Sequence, residues 1–375
     1  MYGNVKVLDT HSHIHDIPMT ARGEKPRLAY QFWHDLYFIP GFGAARPIPS
    51  PIGPGKHSDR PGNTDEDFKA VSKHLADYIH ARSIDHQIIS PHPLQFHGWL
   101  EDENIFKSWI AYQNDLAFKI VQAEPETFLG AIQLPQRVDK EDSSHMLEEL
   151  ERCVTEYGFV EAYVSPDPTG KGDCPPLNMP YWFPLYEKAQ ELGIPLMIHG
   201  TDNPNPIYHQ MDINRYFEFS FMFPQSLALA TLRDHPEIFE RFPGLKIIVC
   251  HCGGFLDRLG EDAIFRVKKN KEALSGGLFY DTAAYDPEYL ALAIKQRGPS
   301  QFVFGTEAPG SGIEKRPGTD TTADDIVPLF ASDPALSFLT EEDKINILHN
   351  NPAKLAPGLA DAAKQNAKAK VKAYE

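Results

Sequence analysis

The chain has 375 residues, of which 42% are hydrophobic, so it can bury a large core as two domains or as one α/β barrel with insertions. Its 36 Lys and Arg residues stand against 52 Asp and Glu residues, a formal net charge of -16. This balance argues against a nucleic-acid partner, because phosphate backbones bind positive surfaces. An anionic substrate would need Arg or Lys side chains placed locally against the global field.

The sequence also indicates where the protein works. It contains no apolar run of about 18 residues, and its N-terminus lacks the basic-then-apolar layout of a signal peptide. Four cysteines without a CxxC pair suit a reducing compartment. Cys250 and Cys252 lie in an apolar run, which favours burial as small hydrophobic residues. We therefore expect a cytoplasmic protein without a membrane partner.

Short apolar runs recur along the chain and predict strands. In chain order they cover residues 5–13, 86–93, 127–135, 158–166, 194–200, 245–254, 278–284 and 301–307. Amphipathic stretches at 145–157 and 182–193 predict helices between them, the second ending at Gly193, which suits a helix C-cap. Eight such units indicate parallel βαβ connections and a (β/α)8 TIM-like barrel. A doubly wound sheet stays open on the pattern alone, although no G-x-G-x-x-G follows the first strand.

Two segments depart from this rhythm. Residues 39–63 are too rich in Pro and Gly for a helix or strand interior, and they predict an inserted loop after the first strand. That loop would be a lid or substrate-binding wall, or a surface excursion without a role. Residues 359–375 are rich in Ala and Lys and predict a peripheral helix or frayed tail. Residues 1–358 would then form a single domain.

Histidines and one glutamate fall at the ends of predicted strands. His11 and His13 end the first strand, His199 the fifth, His251 the sixth and Glu307 the eighth. Groups at the C-terminal ends of barrel strands converge on one face, where active sites are built. Because side chains alternate along a strand, His11 and His13 should point into the same space.

Imidazoles and a carboxylate are suitable ligands for one divalent ion. The predicted ligands are His11, His13, His199 and Glu307. This donor set suits Zn²⁺, with Mn²⁺ or Fe²⁺ as alternatives, and leaves a position open for water or substrate. A single histidine at a strand end is more often a hydrogen-bonded turn residue, but the complete set favours a metal site. His15 lies beyond the first strand and receives no role.

His251 differs from the predicted ligands. It lies in "VCHCGGF", where the glycines allow backbone or substrate to approach closely. Since the ion already has its protein donors, a neighbouring histidine is well placed as a general acid or base. A fifth ligand or a packing residue is the alternative.

Several motifs together resemble a known family. They are "DTHSH", "PLYEKAQELGIPLMIHG", "RFPGLKIIVCHCGGFLDR", "GLFYDTAA" and "FVFGTEAPG". The chain resembles the amidohydrolase superfamily, in the branch named for aminocarboxymuconate-semialdehyde decarboxylase, from about residue 5 to "ILHNNPAKL" near residue 355. The resemblance implies a (β/α)8 barrel and a mononuclear metal bound by His11, His13, His199 and the strand-eight acid, with His251 as the catalytic histidine. It also implies a dimer or higher homo-oligomer.

The fourth predicted strand bears on the number of ions. Binuclear members of the superfamily bridge two metals through a modified lysine on this strand. Here the strand reads "FVEAYVSP" and offers no lysine, which supports a single ion.

One residue departs from the pattern of the branch. Most members carry Asp at the end of strand eight, whereas this chain carries Glu307, which is similar to the 4-oxalomesaconate hydratases of aromatic ring-cleavage pathways. The extra methylene lets the carboxylate bind the ion or remove a proton beside it. We therefore expect a lyase that adds metal-activated water to a C=C bond of a small unsaturated oxo-di- or tricarboxylic acid.

Other reactions fit the same residues. A non-oxidative decarboxylase of an aromatic or muconate-type acid would use His251 or metal-bound water to protonate the carbon that bears the carboxylate. A hydrolase of a lactone or amide would use metal-bound hydroxide. A catalytically inactive barrel that only binds a partner is disfavoured, because degenerate relatives would be expected to lose one of these residues.

A carboxylate substrate calls for cationic side chains near the site. Arg46, in the Pro- and Gly-rich loop, and Arg258, just after the His251 motif, are the predicted substrate-binding residues. Arginine suits this role because its guanidinium pairs with a carboxylate through two parallel hydrogen bonds. An ordinary salt bridge or a solvated surface position is the alternative for each.

Overall fold

The computed structural model describes residues 1–14, 65–93, 96–98, 100–201, 222–254 and 274–369. Within these residues the β-strands are Leu8–Asp9 (β1), His86–Ile89 (β2), Phe128–Gln133 (β3), Glu161–Val164 (β4), Leu196–Ile198 (β5), Ile247–Val249 (β6) and Leu278–Tyr280 (β7). They form one seven-stranded sheet in chain order, and each neighbouring pair is parallel. Parallel neighbours require crossover connections, which the helices supply.

Helices follow most of the strands. Their bounds are Asp65–His80 (α1), Glu103–Ala123 (α2), Leu147–Arg152 (α3), Phe183–Leu192 (α4), Phe223–Asp234 (α5), Glu237–Arg241 (α6), Pro287–Arg297 (α7), Val327–Ser332 (α8), Glu341–Ile345 (α9), Asn351–Leu355 (α10) and Ala362–Asn366 (α11). None of these described helices combines the length and apolarity needed to cross a bilayer.

Local signals set the ends of the helices. Helix α4 ends at Gly193, whose φ of 69° is the left-handed cap conformation that glycine adopts without strain. Its buried residues Leu185, Tyr186 and Ala189 recur at helical spacing and face the core. At the start of α2 the Asp102 side chain accepts hydrogen bonds from two backbone N–H groups of the first turn. The predicted helix at 182–193 is thus confirmed.

The predicted eighth strand is an extended segment, residues 302–307. Phe302 forms a parallel bridge with Tyr280 at the end of β7. On the other side, the Thr10 N–H donates to the carbonyl oxygen of Phe304 at 2.9 Å, just after β1. The segment therefore joins the last strand to the first, and the predicted barrel architecture is confirmed. The inserted loop of residues 39–63 lies outside the described residues.

The core has an inner and an outer apolar layer. Side chains from all the strands fill the barrel interior, namely Leu8, Ile88, Leu129, Ala131, Tyr163, Met197, Ile248, Cys250, Phe279 and Val303. The outer layer packs the other faces of the strands against the helices, with Trp109 and Trp182 buried there. Burial of one large apolar side chain stabilises the fold by about 1.5–3 kcal/mol. Cys250 and Cys252 are fully buried, as predicted.

The C-terminal residues reach the bottom of the barrel. The Asn366 amide in α11 donates to the carbonyl oxygens of Pro125 and Phe128, at 2.8 Å each. Leu359 and Ala362 are buried against the inner layer. These contacts cover the N-terminal ends of the strands, on the side away from the predicted site. The limits of a single domain at 1–358 stay a prediction.

Glu161 is an unusual residue of the barrel interior. It shares a face of β4 with Tyr163, it is fully buried, and neither of its carboxyl oxygens has a hydrogen-bond partner among the described residues. Burial raises the pKa of Glu161 well above its ordinary value, and the charges of Asp281 and Asp9 raise it further. Burial therefore favours the protonated form of this side chain in the folded protein.

This raised pKa generates a prediction about stability. Above the unfolded carboxyl pKa the unfolded chain releases a proton that the folded chain retains, so Glu161 lowers the stability of the fold as the pH rises. Glu161→Gln removes this pH-dependent penalty. The unfolding free energy of the variant minus that of the parent should therefore increase from pH 5 to pH 8.5. Denaturant unfolding at both values measures the gain. Glu187→Gln, at an exposed position of α4, should show none. Curves for parent and Glu161→Gln that stay parallel across this range would contradict the assignment.

Candidate active site

Imidazole nitrogens meet at the C-terminal end of the barrel. His13 Nε2 lies 3.2 Å from His11 Nε2 and 3.2 Å from His199 Nε2, and all of these side chains are buried. Glu307 Oε1 lies 3.8 Å from Nε2 of both His13 and His199. The side chains predicted as ligands thus converge on one small space.

The other ring nitrogen of each histidine is fixed by an acceptor. His11 Nδ1 lies 2.5 Å from a carboxylate oxygen of Asp281, and His199 Nδ1 lies 2.5 Å from the Gly200 carbonyl oxygen. These oxygens can only accept, so each Nδ1 carries the hydrogen and donates it. Each Nε2 therefore turns its lone pair toward the cluster, as in metal sites whose histidines are oriented by such acceptors.

His13 is oriented by a serine. Its Nδ1 lies 2.8 Å from Ser90 Oγ, and the Ser90 hydroxyl is also 2.9 Å from the Pro91 carbonyl oxygen. Because the single hydroxyl hydrogen is donated to Pro91, Ser90 Oγ accepts from His13 Nδ1. The Nε2 of His13 is then unprotonated as well.

Burial favours the neutral form of His13 and His199. It lowers the pKa of His13 well below the ordinary histidine value, with a further contribution from His199 and His11. Burial likewise lowers the pKa of His199 to about 4. Neutral imidazole is the form that binds a metal, so the site is prepared for a cation at neutral pH.

The backbone presents Glu307 from the closing segment. Its N–H donates to the His11 carbonyl oxygen at 2.7 Å, and its φ of 56° lies in the left-handed region that non-glycine residues rarely adopt. Gly305 permits the approach, because a Cβ there would lie 2.9 Å from the Cβ atoms of both His11 and Asp281. Such strain at a predicted ligand position is typical of functional sites.

His251 lies beside the cluster. Its ring centroid is 5.3 Å from that of His11 and 5.0 Å from that of His199, and its Nε2 is 3.5 Å from Glu307 Oε2. Its Nδ1 donates to the Gln225 side-chain oxygen at 3.0 Å. His251 thus points its Nε2 at the carboxylate oxygen that faces away from His13.

The charges of this pair act on each other. Burial alone would lower the pKa of His251, but the Glu307 carboxylate outweighs it and raises the pKa above the ordinary histidine value. Burial alone would raise the pKa of Glu307, but His251 and His199 hold it well below the ordinary carboxyl value. The proton of the pair therefore rests on the imidazole, and Glu307 is a carboxylate.

Asp9 fastens the first strand to the closing segment. Its carboxylate accepts from the His11 N–H at 3.0 Å, from the Thr306 hydroxyl at 2.5 Å and from the Gln87 amide at 2.9 Å. Burial raises the pKa of Asp9 to about 6, while these hydrogen bonds act in the opposite direction. The Asp9 carboxylate thus positions the His11 backbone without contacting the clustered imidazole nitrogens.

The structure brings together most of the predicted site residues. These are His11, His13, His199, His251 and Glu307. Four of them, His11, His199, His251 and Glu307, have ligand atoms that all lie within 4.8 Å of one another. His15, Arg46 and Arg258 lie outside the described residues, so the substrate-binding roles of the two arginines stay predictions.

Sequence reasoning missed the residues that orient the cluster. Asp281 follows β7 directly, so the strand-end rule used for the histidines could have found it. Tyr285 follows in the same loop and donates its hydroxyl to Glu307 Oε2 at 2.9 Å. Ser90 directly follows β2, and the His92 ring two residues later lies 5.6 Å from that of His13. Gln225 comes from helix α5, and no local signal marks it.

The fold and this cluster define a class of protein. A parallel barrel with a buried His and Glu cluster at the C-terminal ends of its strands is a barrel enzyme able to hold a divalent metal. The chain belongs to the amidohydrolase family, whose model matches residues 9–357.

The known proteins to which the chain is similar include hydratases and decarboxylases, which are lyases. The chain is 29% identical over 262 residues to the 2-keto-4-carboxy-3-hexenedioate hydratase of a Sphingobium species, covering 68% of this chain and 74% of that protein. It is 25% identical over 253 residues to the 2-amino-3-carboxymuconate-6-semialdehyde decarboxylase of Dictyostelium discoideum, covering 63% of this chain and 66% of that protein. The crystal structure of 4-oxalomesaconate hydratase from Rhodopseudomonas palustris matches with a TM-score of 0.74 and 25% identity, covering 96% and 99% of the two chains. The expected resemblance is thus confirmed.

The acceptor behind His11 provides a test of the cluster. Asp281→Asn replaces a carboxylate with an amide that accepts less strongly from His11 Nδ1, so the affinity for a divalent ion should fall by about 10- to 100-fold. Competition with a chromogenic chelator measures it. The control is Asp286→Asn, at the N-cap of α7, where asparagine also caps well. Unchanged metal affinity in Asp281→Asn would contradict the role assigned to this hydrogen bond.

Proposed function

We propose that the protein is a metal-dependent hydratase that adds water to the C=C bond of a small unsaturated oxo-di- or tricarboxylic acid from aromatic-compound catabolism. The observation that carries the proposal is the placement of Glu307. One of its oxygens faces the histidine cluster, and the other lies 3.5 Å from His251 Nε2. A metal-dependent hydration uses an ion and a proton-transfer pair, and this side chain adjoins both the proposed ion site and His251.

The proposed ligands are Nε2 of His11, His13 and His199 and Oε1 of Glu307. Their fit rests on the hydrogen bonds that occupy the opposite ring nitrogens and turn the Nε2 lone pairs inward. Three imidazoles and one carboxylate favour Zn²⁺, and Mn²⁺ or Fe²⁺ would accept the same donors. A divalent ion there supplies Lewis-acid chemistry, since it acidifies water and polarises a substrate oxygen.

The proton transfers are assigned to Glu307 and His251. Adding water across a C=C bond conjugated to a carbonyl breaks one O–H bond and the π bond of the C=C, and it forms one C–O and one C–H bond. Glu307, held as a carboxylate, takes the proton from the water. His251, whose pKa is raised, gives a proton to the carbon next to the carbonyl. The pair thus starts in the protonation states that the addition requires.

The substrate class is supported by the named relatives. The name 2-keto-4-carboxy-3-hexenedioate describes an unsaturated keto acid with carboxyl groups, and the Sphingobium relative is a hydratase of that compound. In a chain of net charge -16, such an anion requires local cations. We assign this role to Arg46 and Arg258, and we further propose a cytoplasmic homo-oligomer, a dimer or larger.

A decarboxylase is the second candidate. The Dictyostelium relative supports it, and the same His251 could protonate the carbon that loses CO₂. Decarboxylation requires a proton donor but no base for water, so it leaves the placement of Glu307 Oε2 beside His251 without a use. Hydrolysis of a lactone or amide uses the same donors. A barrel without catalysis is disfavoured because the cluster and its acceptors are complete.

The reaction type can be decided directly. Purified protein loaded with zinc is incubated with a panel of unsaturated oxo-di- and tricarboxylic acids, while conjugated absorbance and released CO₂ are followed together. We expect absorbance to fall and the product to gain the mass of one water without CO₂. Release of CO₂ in proportion to the loss of absorbance would replace the hydratase with the decarboxylase.

A second test separates His251 from the ligands. His251→Asn should retain about one metal ion per chain by elemental analysis and lose about 10²- to 10⁴-fold in turnover, because only proton transfer is removed. His13→Asn should instead lose the metal. If His251→Asn loses the metal to the same extent as His13→Asn, His251 is a ligand and the division of roles is wrong.

A further inference from the structure

The hydroxyl of Tyr285 contacts the carboxylate on which the proposed function depends. It donates to Glu307 Oε2 at 2.9 Å, and this is the same oxygen that lies 3.5 Å from His251 Nε2. The other oxygen, Oε1, lies 3.8 Å from Nε2 of both His13 and His199. The two oxygens therefore have different neighbours.

A glutamate does not hold such an arrangement by itself. The terminal torsion of its side chain is broad, so an unsupported carboxylate can turn both oxygens toward a cation. A hydrogen bond on one oxygen removes that freedom, and bonds to charged groups are among the stronger ones. Tyr285 makes this contact from the loop after β7, outside the 302–307 segment that carries Glu307.

The ring of Tyr285 is itself held by residues 310–326, the segment that follows Glu307. Gly312 packs against it, since a Cβ at this position would lie 2.7 Å from Tyr285 Cζ. Arg316 Nη1 donates to the Tyr285 carbonyl oxygen at 2.5 Å. Both ends of the tyrosine are thus positioned by this segment.

The segment is anchored to helix α1. The buried Asp324 donates its N–H to the Gly312 carbonyl oxygen at 2.9 Å. Its carboxylate accepts from the Tyr78 hydroxyl at 2.7 Å and from Arg82 Nε at 2.9 Å. These contacts connect Tyr285, through the segment, to one of the long helices of the barrel.

We infer that Tyr285 is a positioning residue, whose hydroxyl keeps Glu307 Oε2 turned toward His251 so that only Oε1 is left to bind the ion. The inference rests on the proposed function, because it assigns one oxygen of Glu307 to the ion and the other to proton transfer. Without the hydroxyl, Glu307 can bind the ion through both oxygens, and the oxygen needed beside His251 is lost.

The test compares Tyr285→Phe with the parent enzyme, each loaded with Co²⁺, whose visible spectrum reports the number of ligands. Tyr285→Phe should still bind about one Co²⁺ per chain, with the weaker visible absorption of a higher coordination number. With the substrate found in the screen, kcat should fall by about 10- to 100-fold while KM changes little, because orientation rather than binding is lost. Tyr186→Phe is the control, since it removes a buried tyrosine hydroxyl that donates to the Leu177 carbonyl oxygen at 2.7 Å, away from the cluster.

A Tyr285→Phe spectrum and kcat equal to those of the parent would overturn the inference, as would a variant that binds no Co²⁺. Failure of the proposed function has a different signature. A parent enzyme that releases CO₂ or leaves every acid of the panel unchanged is not the proposed hydratase, yet the Co²⁺ spectra still decide whether Tyr285 sets the coordination of Glu307.

Discussion

The arrangement of the site depends on hydrogen bonds behind the histidines. Asp281, Ser90 and the Gly200 carbonyl each accept from an Nδ1, so the corresponding Nε2 lone pairs turn inward, and His13 Nε2 lies 3.2 Å from Nε2 of both His11 and His199. Three buried, unprotonated nitrogens this close together stabilise the fold little by themselves. A divalent ion between them would use all three lone pairs at once. The strained backbone at Glu307 falls at the proposed carboxylate ligand of the same ion.

The barrel provides the rigidity on which these contacts depend. Asp281 and Ser90 follow β7 and β2, whereas the histidines that they orient follow β1, and a closed, parallel sheet brings these C-terminal ends together. Closure itself is made by the 302–307 segment, which hydrogen-bonds to the chain after β1 through Thr10 and places Glu307 against His11. Asp9 stabilises this junction because its carboxylate accepts hydrogen bonds from both His11 and Thr306. The fold and the site are therefore joined at the same few residues.

Much of this was predictable from the sequence, because strand periodicity and the strand-end rule act locally. His11, His13, His199, His251 and Glu307 each follow an apolar run, and the structure brings them together. The regular strands are shorter than the apolar runs, since the backbone leaves the sheet to build the site; β1 retains only Leu8–Asp9 of the predicted 5–13. The contacts of Gln225 and Tyr285 could not be predicted from the sequence, because these residues lie on a helix and a loop whose placement depends on tertiary packing.

The central claim is that one ion lies between His11, His13, His199 and Glu307 while His251 stays free for proton transfer. The most direct measurement is a crystal structure of the zinc-loaded protein with anomalous data collected at the zinc edge. The account predicts one anomalous peak per chain, bonded to three Nε2 atoms and to Oε1 of Glu307, at about 2.0–2.2 Å. Two peaks in one barrel, or a single peak bonded to His251 Nε2, would contradict it.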